Sequence, residues 1–248
     1  RRDIHPHPEL SNREFRTSAL VAKELRALGL EVKTNVAHTG VIALLKGGKP
    51  GPKLAIRADM DALPVTEEVD LPFKSVAHGQ YNGHDVGVMH ACGHDGHTAM
   101  LLGIATAMAG MRKDLPGEVL FIFQPAEEGV PTGEDGGATM MLKEGMFRDF
   151  KPDAVFGMHV VSWLNTGTVE VHSGPAMAGS DTFAMTVHGR QTHGAMPWKG
   201  IDPIVTSAQI ITAAQTIVSR RLDIGSLPAV LTFGVIEGGT RFNIVPDK

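Results

Sequence analysis

The segment EVLFIFQPAEEG, residues 118–129, is an apolar run that ends in two adjacent glutamates. KLAIRADMD, residues 53–61, follows the same plan and ends in Asp59 and Asp61, and DAVFGMHV, residues 153–160, ends near His159. Segments with a helical pattern separate these runs, which predicts an α/β domain with a largely parallel sheet. In such sheets ligands bind at the carboxyl ends of the strands, so we expect these carboxylates and the histidine to meet at one edge.

A second domain is expected from about residue 175. SDTFAMTVHG alternates apolar and polar residues as a strand does, DPIVTSAQIITAAQTIVSRR predicts a helix with a proline in its first turn, and AVLTFGVIEGG predicts another strand. The length of 248 residues also favours two domains. We therefore assign residues 1–174 to the first domain and residues 175–248 to a separate α+β domain.

The first helix is predicted in SNREFRTSALVAKELRALG, residues 11–29. Ser11 and Glu14 have the S-x-x-E spacing of a capping box, in which both side chains bond to backbone N–H groups of the first turn. The apolar spacing that starts at Phe15 predicts one buried face.

Composition and charge argue against two kinds of partner. A net charge of −4 offers no basic surface for nucleic acid, and no apolar run approaches the length of a membrane span. The single cysteine excludes an internal disulfide and favours a reducing compartment such as the cytoplasm. The chain begins and ends within patterned sequence, so we expect a fragment of a longer protein.

The loop GVMHACGHDGHTAM, residues 87–100, carries three histidines and the single cysteine. Cys92 and His94 offer a thiolate and an imidazole, which suit zinc, manganese, cobalt or iron. The pair alone is a weak signal, because free cysteines are usually small buried hydrophobes. Glu128 and His159 on neighbouring strand ends extend it to a mixed ligand set that is typical of catalytic metal sites. We expect His97 to orient a ligand or simply to pack.

The adjacent glutamates Glu127 and Glu128 have two interpretations. A solvated acidic turn is the common fate of such a pair. Adjacent side chains of an extended segment point in different directions, however, so one carboxylate can bind a metal while the other accepts a proton from water. A metal lowers the pKa of its bound water towards neutrality, and the combination is what a hydrolase requires.

Six motifs occur in order: RADMDALP, HACGHDGHTAMLLG, IFQPAEEG, GMHV, GRQTHGAMP and FNIVPD. Together they closely resemble the metal-dependent N-acyl-amino-acid amidohydrolases of the zinc-peptidase-like superfamily, a group with hippurate hydrolases, aminoacylase-like enzymes and indole-acetyl-amino-acid hydrolases. The resemblance covers essentially the whole chain. It implies an α/β catalytic domain with two divalent metal ions, Mn²⁺ or Zn²⁺ and also Co²⁺. It further implies an inserted α+β lid domain that forms a homodimer, both domains being incomplete here.

The resemblance also implies a role for each site residue. The metal ligands would be Cys92, His94, Glu128 and His159. Glu127 would be the general base that acts on water, and Asp59 would be a supporting acid. His193 would reach from the lid into the site of the partner subunit and bind the developing oxyanion, and Asn243 would touch the substrate.

Two departures from the superfamily pattern matter. Arg57 stands where related peptidases carry a histidine, and a guanidinium that stays protonated cannot be an ordinary metal ligand. The last metal-ligating histidine of the family would lie beyond residue 248, so we expect this chain to lack one ligand and part of the sheet.

The implied activity is hydrolysis of an N-acyl amino acid to a carboxylic acid and a free amino acid. Related alternatives are a dipeptidase and a desuccinylase or deacetylase. A protein that binds metal and dimerises without catalysis is a different class, although retention of both glutamates argues against it. Thiol chemistry at Cys92 with a histidine base is a further alternative, and it predicts inhibition by alkylation but not by chelators.

Overall fold

The computed structural model describes residues 1–174, 179–226 and 228–248. The chain divides into two compact units, Arg1–Thr166 and Gly167–Lys248. The boundary at residues 174 and 175 stays a prediction, and residue 175 lies outside the described residues. No helix within the described residues is long and apolar enough to cross a lipid bilayer.

The first unit contains three helices and seven strands among its described residues. In chain order they are α1 (Phe15–Ala27), β1 (Glu31–Val36), β2 (Gly40–Lys46), β3 (Lys49–Asp59), β4 (His78–Tyr81), β5 (His84–Gly87), α2 (His94–Gly110), β6 (Pro116–Gln124), α3 (Gly137–Lys143) and β7 (Ala154–Gly157).

Five of these strands form one sheet in the order β1-β2-β6-β3-β7. The three strands predicted from the opening motifs are adjacent, and β3 pairs in parallel with both β6 and β7. β1 and β2 extend the sheet as an antiparallel pair, and β4 and β5 form a separate hairpin. The predicted α/β class with parallel core strands is therefore confirmed.

Both faces of β6 are buried. Phe121 and Phe123 pack in a core with residues of α1 and α2, whereas Leu120 and Ile122 pack on the other face with Met141 of α3. Covering helices on both sides are what a near-continuous apolar strand requires. This packing fixes the carboxyl end of β6, from which the two glutamates emerge.

The predicted capping box is wrong. Helix α1 begins at Phe15, which is 64% exposed, and Ser11 and Glu14 give its first turn no side-chain cap. Glu9 caps that turn instead, because its carboxylate accepts hydrogen bonds from the N–H groups of Arg16 and Thr17, both at 2.8 Å. Ser11 and Glu14 bond to residues far along the chain, which a local pattern cannot reveal.

The second unit, Gly167–Lys248, contains β8 (Thr192–His193), a 3-10 turn (Pro197–Lys199), α4 (Pro203–Arg221) and β9 (Ile244–Val245). Asp202 caps α4 by accepting from the N–H groups of Ile204 and Val205.

The strands expected in SDTFAMTVHG and AVLTFGVIEGG do not form among the described residues. The ring centroids of Phe183 and Phe233 are 5.5 Å apart, but both segments remain exposed. Alternation of apolar residues stabilises a strand only where a ladder and a packed face receive it, which explains this difference.

Candidate metal centre

The carboxyl edge of the parallel strands gathers the predicted ligands of the first unit. Asp59 ends β3, Glu127 and Glu128 follow β6, and His159 follows β7. Among the described residues, three sets offer ligand atoms within 4.8 Å of one another: Cys92 with His94 and His159, Asp59 with His94 and His97, and His94 with Glu127 and Glu128. His94 belongs to every set and is the centre of the cluster.

The imidazole of His94 is almost fully buried and lies among four carboxylates. Its Nε2 atom is 3.6 Å from Asp59 Oδ1, 3.7 Å from Glu127 Oε2 and 3.6 Å from Glu128 Oε1. Its Nδ1 atom is 3.3 Å from Asp61 Oδ1. Neither ring nitrogen makes a hydrogen bond to any described residue. Buried polar atoms of proteins normally have partners, so this arrangement fits a ring that coordinates a cation.

The charge of the cluster also favours a cation. Burial opposes protonation of His94, but Asp61, Asp59 and Glu128 together raise its pKa. The guanidinium of Arg57 reaches Asp59 at 2.6 Å and Glu127 at 3.8 Å. Carboxylates packed this closely repel one another, and divalent cations between them relieve that repulsion.

Cys92 and His159 face each other at the rim of the cluster. The Sγ atom of Cys92 is 3.3 Å from His159 Nε2, and the Nδ1–H group of His159 donates to the carbonyl of Val160 at 2.6 Å. With the proton on Nδ1, the lone pair of Nε2 faces Cys92 Sγ, and both atoms could coordinate one metal ion. Burial, together with Glu128, Glu127 and Asp59, raises the pKa of Cys92 to about 12. A thiolate therefore requires a cation here, which argues against Cys92 as a free nucleophile.

Asp59 is fully buried, and its carboxylate is bonded to two side chains. Its Oδ1 atom lies 2.6 Å from His97 Nδ1, and its Oδ2 atom accepts from Arg57 at 2.6 Å. Burial alone would raise the pKa of Asp59, but His97, His94 and Arg57 lower it to about 2. Asp59 is therefore an anion that faces His94.

Glu127 and Glu128 differ in their surroundings. The side chain of Glu127 is 37% exposed, whereas that of Glu128 is 22% exposed and its buried Oε1 atom has no hydrogen-bond partner among the described residues. Burial and the charge of Asp59 raise the pKa of Glu127. An unpartnered oxygen suits a ligand, and a more accessible carboxylate with a raised pKa suits a proton acceptor.

Asp61 is a site residue whose role the sequence did not reveal. Its carboxylate accepts hydrogen bonds from the backbone N–H groups of Glu127 at 3.0 Å and Glu128 at 3.1 Å, and from the hydroxyl of Ser11 at 2.8 Å. It holds the turn that carries both glutamates. The sequence shows that Asp61 lies two residues after Asp59, but it does not show the contact of Asp61 with the backbone of Glu127 and Glu128.

His193 and Asn243 lie together in the second unit. His193 pairs with Ile244, and Gly194 donates to the carbonyl of Asn243 at 2.8 Å. The ring of His193 is exposed and accepts from the N–H of Ala195 at 3.0 Å, while Asn243 Oδ1 is buried without a partner among the described residues. Their roles at the metal centre remain predictions.

Comparison with characterised proteins identifies several long matches. Thermostable carboxypeptidase 1 of Saccharolobus solfataricus is 45% identical over 248 residues, which are 100% of this chain and 60% of that protein. N-acyl-L-amino acid amidohydrolase of Geobacillus stearothermophilus is 43% identical over 100% of this chain and 63% of that protein. Hippurate hydrolase of Campylobacter jejuni is 41% identical over 100% of this chain and 60% of that protein. The chain thus spans about 60% of the length of these relatives.

The fold matches that of a solved relative. The crystal structure of the Bacillus subtilis YXEP protein, described as a dinuclear metal binding peptidase, superposes with a TM-score of 0.68 at 37% identity. The match covers 99% of this chain and 59% of that one. The sequence model of the peptidase family M20/M25/M40 matches residues 55–247, which are most of the sequence. This chain therefore belongs to the peptidase family M20/M25/M40.

Proposed function

We propose that this chain carries the metal centre of a hydrolase that cleaves the amide bond of N-acyl amino acids. The observation that carries the proposal is the buried His94 ring, which is adjacent to Glu127 and Glu128 and has no hydrogen-bond partner at either nitrogen among the described residues. The names of two relatives, an N-acyl-L-amino acid amidohydrolase and a hippurate hydrolase, support the substrate class.

Divalent metal ions would be held by Cys92, His94, Glu128 and His159. The donor set fits them, because the thiol of Cys92 and the imidazoles of His94 and His159 converge, and the carboxylate of Glu128 converges with His94. When bound, such ions polarise a carbonyl and lower the pKa of water. Two ions are proposed, with Mn²⁺ or Zn²⁺ as the physiological metal and Co²⁺ as a substitute.

Glu127 would transfer the proton. Its carboxylate accepts a proton from the attacking water and returns it to the leaving amine, so that the same residue serves as base and then as acid. The guanidinium of Arg57, 3.8 Å from Glu127, would orient that carboxylate without removing its basicity. Asp59 would support the centre through its contacts with His97 and Arg57.

The second domain, residues 175–248, would be a lid that also forms a homodimer. In this proposal His193 binds the developing oxyanion in the site of the partner subunit, a role for a positioned donor. Asn243, which immediately precedes β9 and whose carbonyl accepts from the N–H of Gly194, would contact the substrate. The reduced thiol at Cys92 favours a cytoplasmic protein.

A substrate panel tests the proposal. With the full-length protein, release of free amino acid would be followed from hippurate and several N-acetyl amino acids, before and after treatment with EDTA, and again after manganese or zinc is restored. We expect activity that is lost with the chelator and returns with the metal. Turnover of none of these substrates in any metal state would contradict the proposed function.

A second candidate is cleavage of the C-terminal residue of a peptide. It is favoured by the relative named as a thermostable carboxypeptidase. The same residues would act in the same roles, because a peptide bond is also an amide between an acyl group and an amino acid. Dipeptides and longer peptides in the panel distinguish the two, since a preference for them over N-acetyl amino acids would favour the peptidase.

A further inference from the structure

Three successive backbone N–H groups at the glutamate turn are bonded to carboxylates from other parts of the chain. Glu14 Oε1 accepts from the N–H of Ala126 at 2.8 Å. Asp61 accepts from the next two N–H groups, those of Glu127 and Glu128. Both carboxylates are buried, so these bonds do not compete with bulk water. The turn is thus held by two buried carboxyl groups, and that of Asp61 also lies 3.3 Å from Nδ1 of His94.

Ala126 needs such support. It is a buried residue with a φ of 47°, in the left-handed region that residues with a Cβ rarely adopt. A conformation of this kind costs free energy and persists only where its surroundings enforce it. The bond from its N–H group to Glu14 is the contact that fixes this peptide plane. A change of the plane would redirect the side chains of Glu127 and Glu128, which follow directly.

Glu14 is itself firmly held. Its side chain is fully buried, and Oε2 accepts from the hydroxyl of Thr39, another buried residue. The neighbours of Glu14 also bind the segment that follows the turn: Asn12 donates to Glu134 at 3.0 Å, and Arg13 forms a salt bridge with the same carboxylate. Residues 11–14 therefore brace the glutamate turn.

We propose that Glu14 is a positioning residue that sets the orientation of Glu127 and Glu128 through the backbone of Ala126. The inference rests on the proposed function, because it assigns Glu14 to the same reaction. Among the described residues, the side chain of Glu14 bonds to Thr39 and to the N–H of Ala126 and to none of the proposed metal ligands. Loss of the Glu14 carboxyl group should therefore loosen the turn and lower kcat, with little effect on KM.

The test compares three variants of the whole protein. Glu14→Ala removes the acceptor, Glu14→Gln retains an acceptor for the N–H of Ala126, and Glu9→Ala is the matched control. Glu9 is a nearby glutamate that bonds two N–H groups of α1 and does not contact the turn. We expect kcat to fall roughly 10–100-fold in Glu14→Ala, as is usual when partners that orient a metal site are removed. The kcat of Glu14→Gln should stay within about 3-fold of the wild-type value, and the kcat of Glu9→Ala should equal it.

Amide hydrogen exchange of residues 126–128 gives a readout that is independent of activity. Exchange there should accelerate in Glu14→Ala and stay unchanged in Glu9→Ala. If Glu14→Ala does not fold, Thr39→Val replaces it, because this substitution removes the hydroxyl that holds Glu14. We then expect the same faster exchange and lower kcat, both smaller in size. Unchanged exchange and kcat in whichever of these variants folds would overturn the inference. So would an equal loss of kcat in Glu9→Ala. A wild type without activity, with exchange still faster in Glu14→Ala, would refute the proposed function and leave the brace intact.

Discussion

Asp59 and His97 form a buried hydrogen bond of 2.6 Å between Oδ1 and Nδ1. The opposite ring nitrogen of His97, Nε2, accepts from the backbone N–H of Val160 at 2.9 Å. Nε2 is therefore unprotonated and Nδ1 carries the proton that it donates to Asp59. His97 thus joins the end of β3 to the residue that follows His159, and because both of its ring nitrogens are engaged we expect it to orient the site and not to coordinate a metal.

The substitution His97→Ala should weaken both the fold and the centre. It leaves the buried carboxylate of Asp59 and the N–H of Val160 without their partner, which costs about 1–3 kcal/mol of unfolding free energy. Metal affinity should fall roughly 10–100-fold. Urea unfolding and metal titration measure the two effects. The control is His78→Ala, since His78 is exposed and its side chain bonds, among the described residues, only to the exposed Asp85. Equal losses of unfolding free energy and of metal affinity in the two variants would refute this role of His97.

Gly93 sets the distance between the metal-ligand loop and the segment of His159. Its φ is 88°, and an added Cβ would lie 2.4 Å from Val160 Cγ2. Gly93→Ala should therefore lose about 1–3 kcal/mol of stability from the backbone conformation alone, and metal affinity should fall because Val160 must move. Gly96→Ala, in the first turn of the helix α2 that follows Gly93, is the matched control, with open space at its Cβ. It should be neutral or stabilising by up to about 1 kcal/mol. Thermal unfolding and metal titration of both variants check this, and an equal response would contradict it.

The sequence predicted the parts of the site that depend on strand ends. Asp59, Glu127 and His159 could be expected together because parallel strands bring their carboxyl ends to one edge. The roles of Glu14 and Asp61 could not be predicted, since Glu14 meets Ala126 across 112 positions of sequence. The S-x-x-E pattern at Ser11 even favoured a wrong local explanation. In the second unit, the alternation around Phe183 did not produce a strand because no ladder pairs with it in the described residues.

The stability of the protein should depend on pH through Glu14. Burial raises the pKa of this carboxyl from its ordinary value of 4.5 to about 7. The folded state then holds the proton more tightly than the unfolded state, so this contribution is fully present below about pH 4.5 and is lost as the pH rises through about 7. Between these limits the unfolding free energy of the wild type should fall by up to about 3 kcal/mol relative to that of Glu14→Gln, whose amide does not titrate. Urea unfolding of both proteins across this range is the measurement, and a constant difference would contradict the prediction.

Cys92 should react slowly with alkylating reagents when no metal is bound. Its raised pKa, about 12, leaves little thiolate at neutral pH. The metal-free protein should therefore alkylate with iodoacetamide at least about ten times more slowly than free cysteine, because the thiolate is the reactive form. Mass spectrometry follows the rate. A rate equal to that of free cysteine would favour the alternative of an activated thiol.

The measurement that tests the central claim most directly is the metal content and turnover of Glu127→Gln, both determined on one preparation. Glu127 is proposed to transfer a proton and not to hold the metal. We predict metal content equal to that of the wild type and turnover reduced roughly 10²–10⁴-fold, the usual contribution of a general acid–base residue. Turnover that matches the wild type would contradict the account, and so would a loss of metal together with activity.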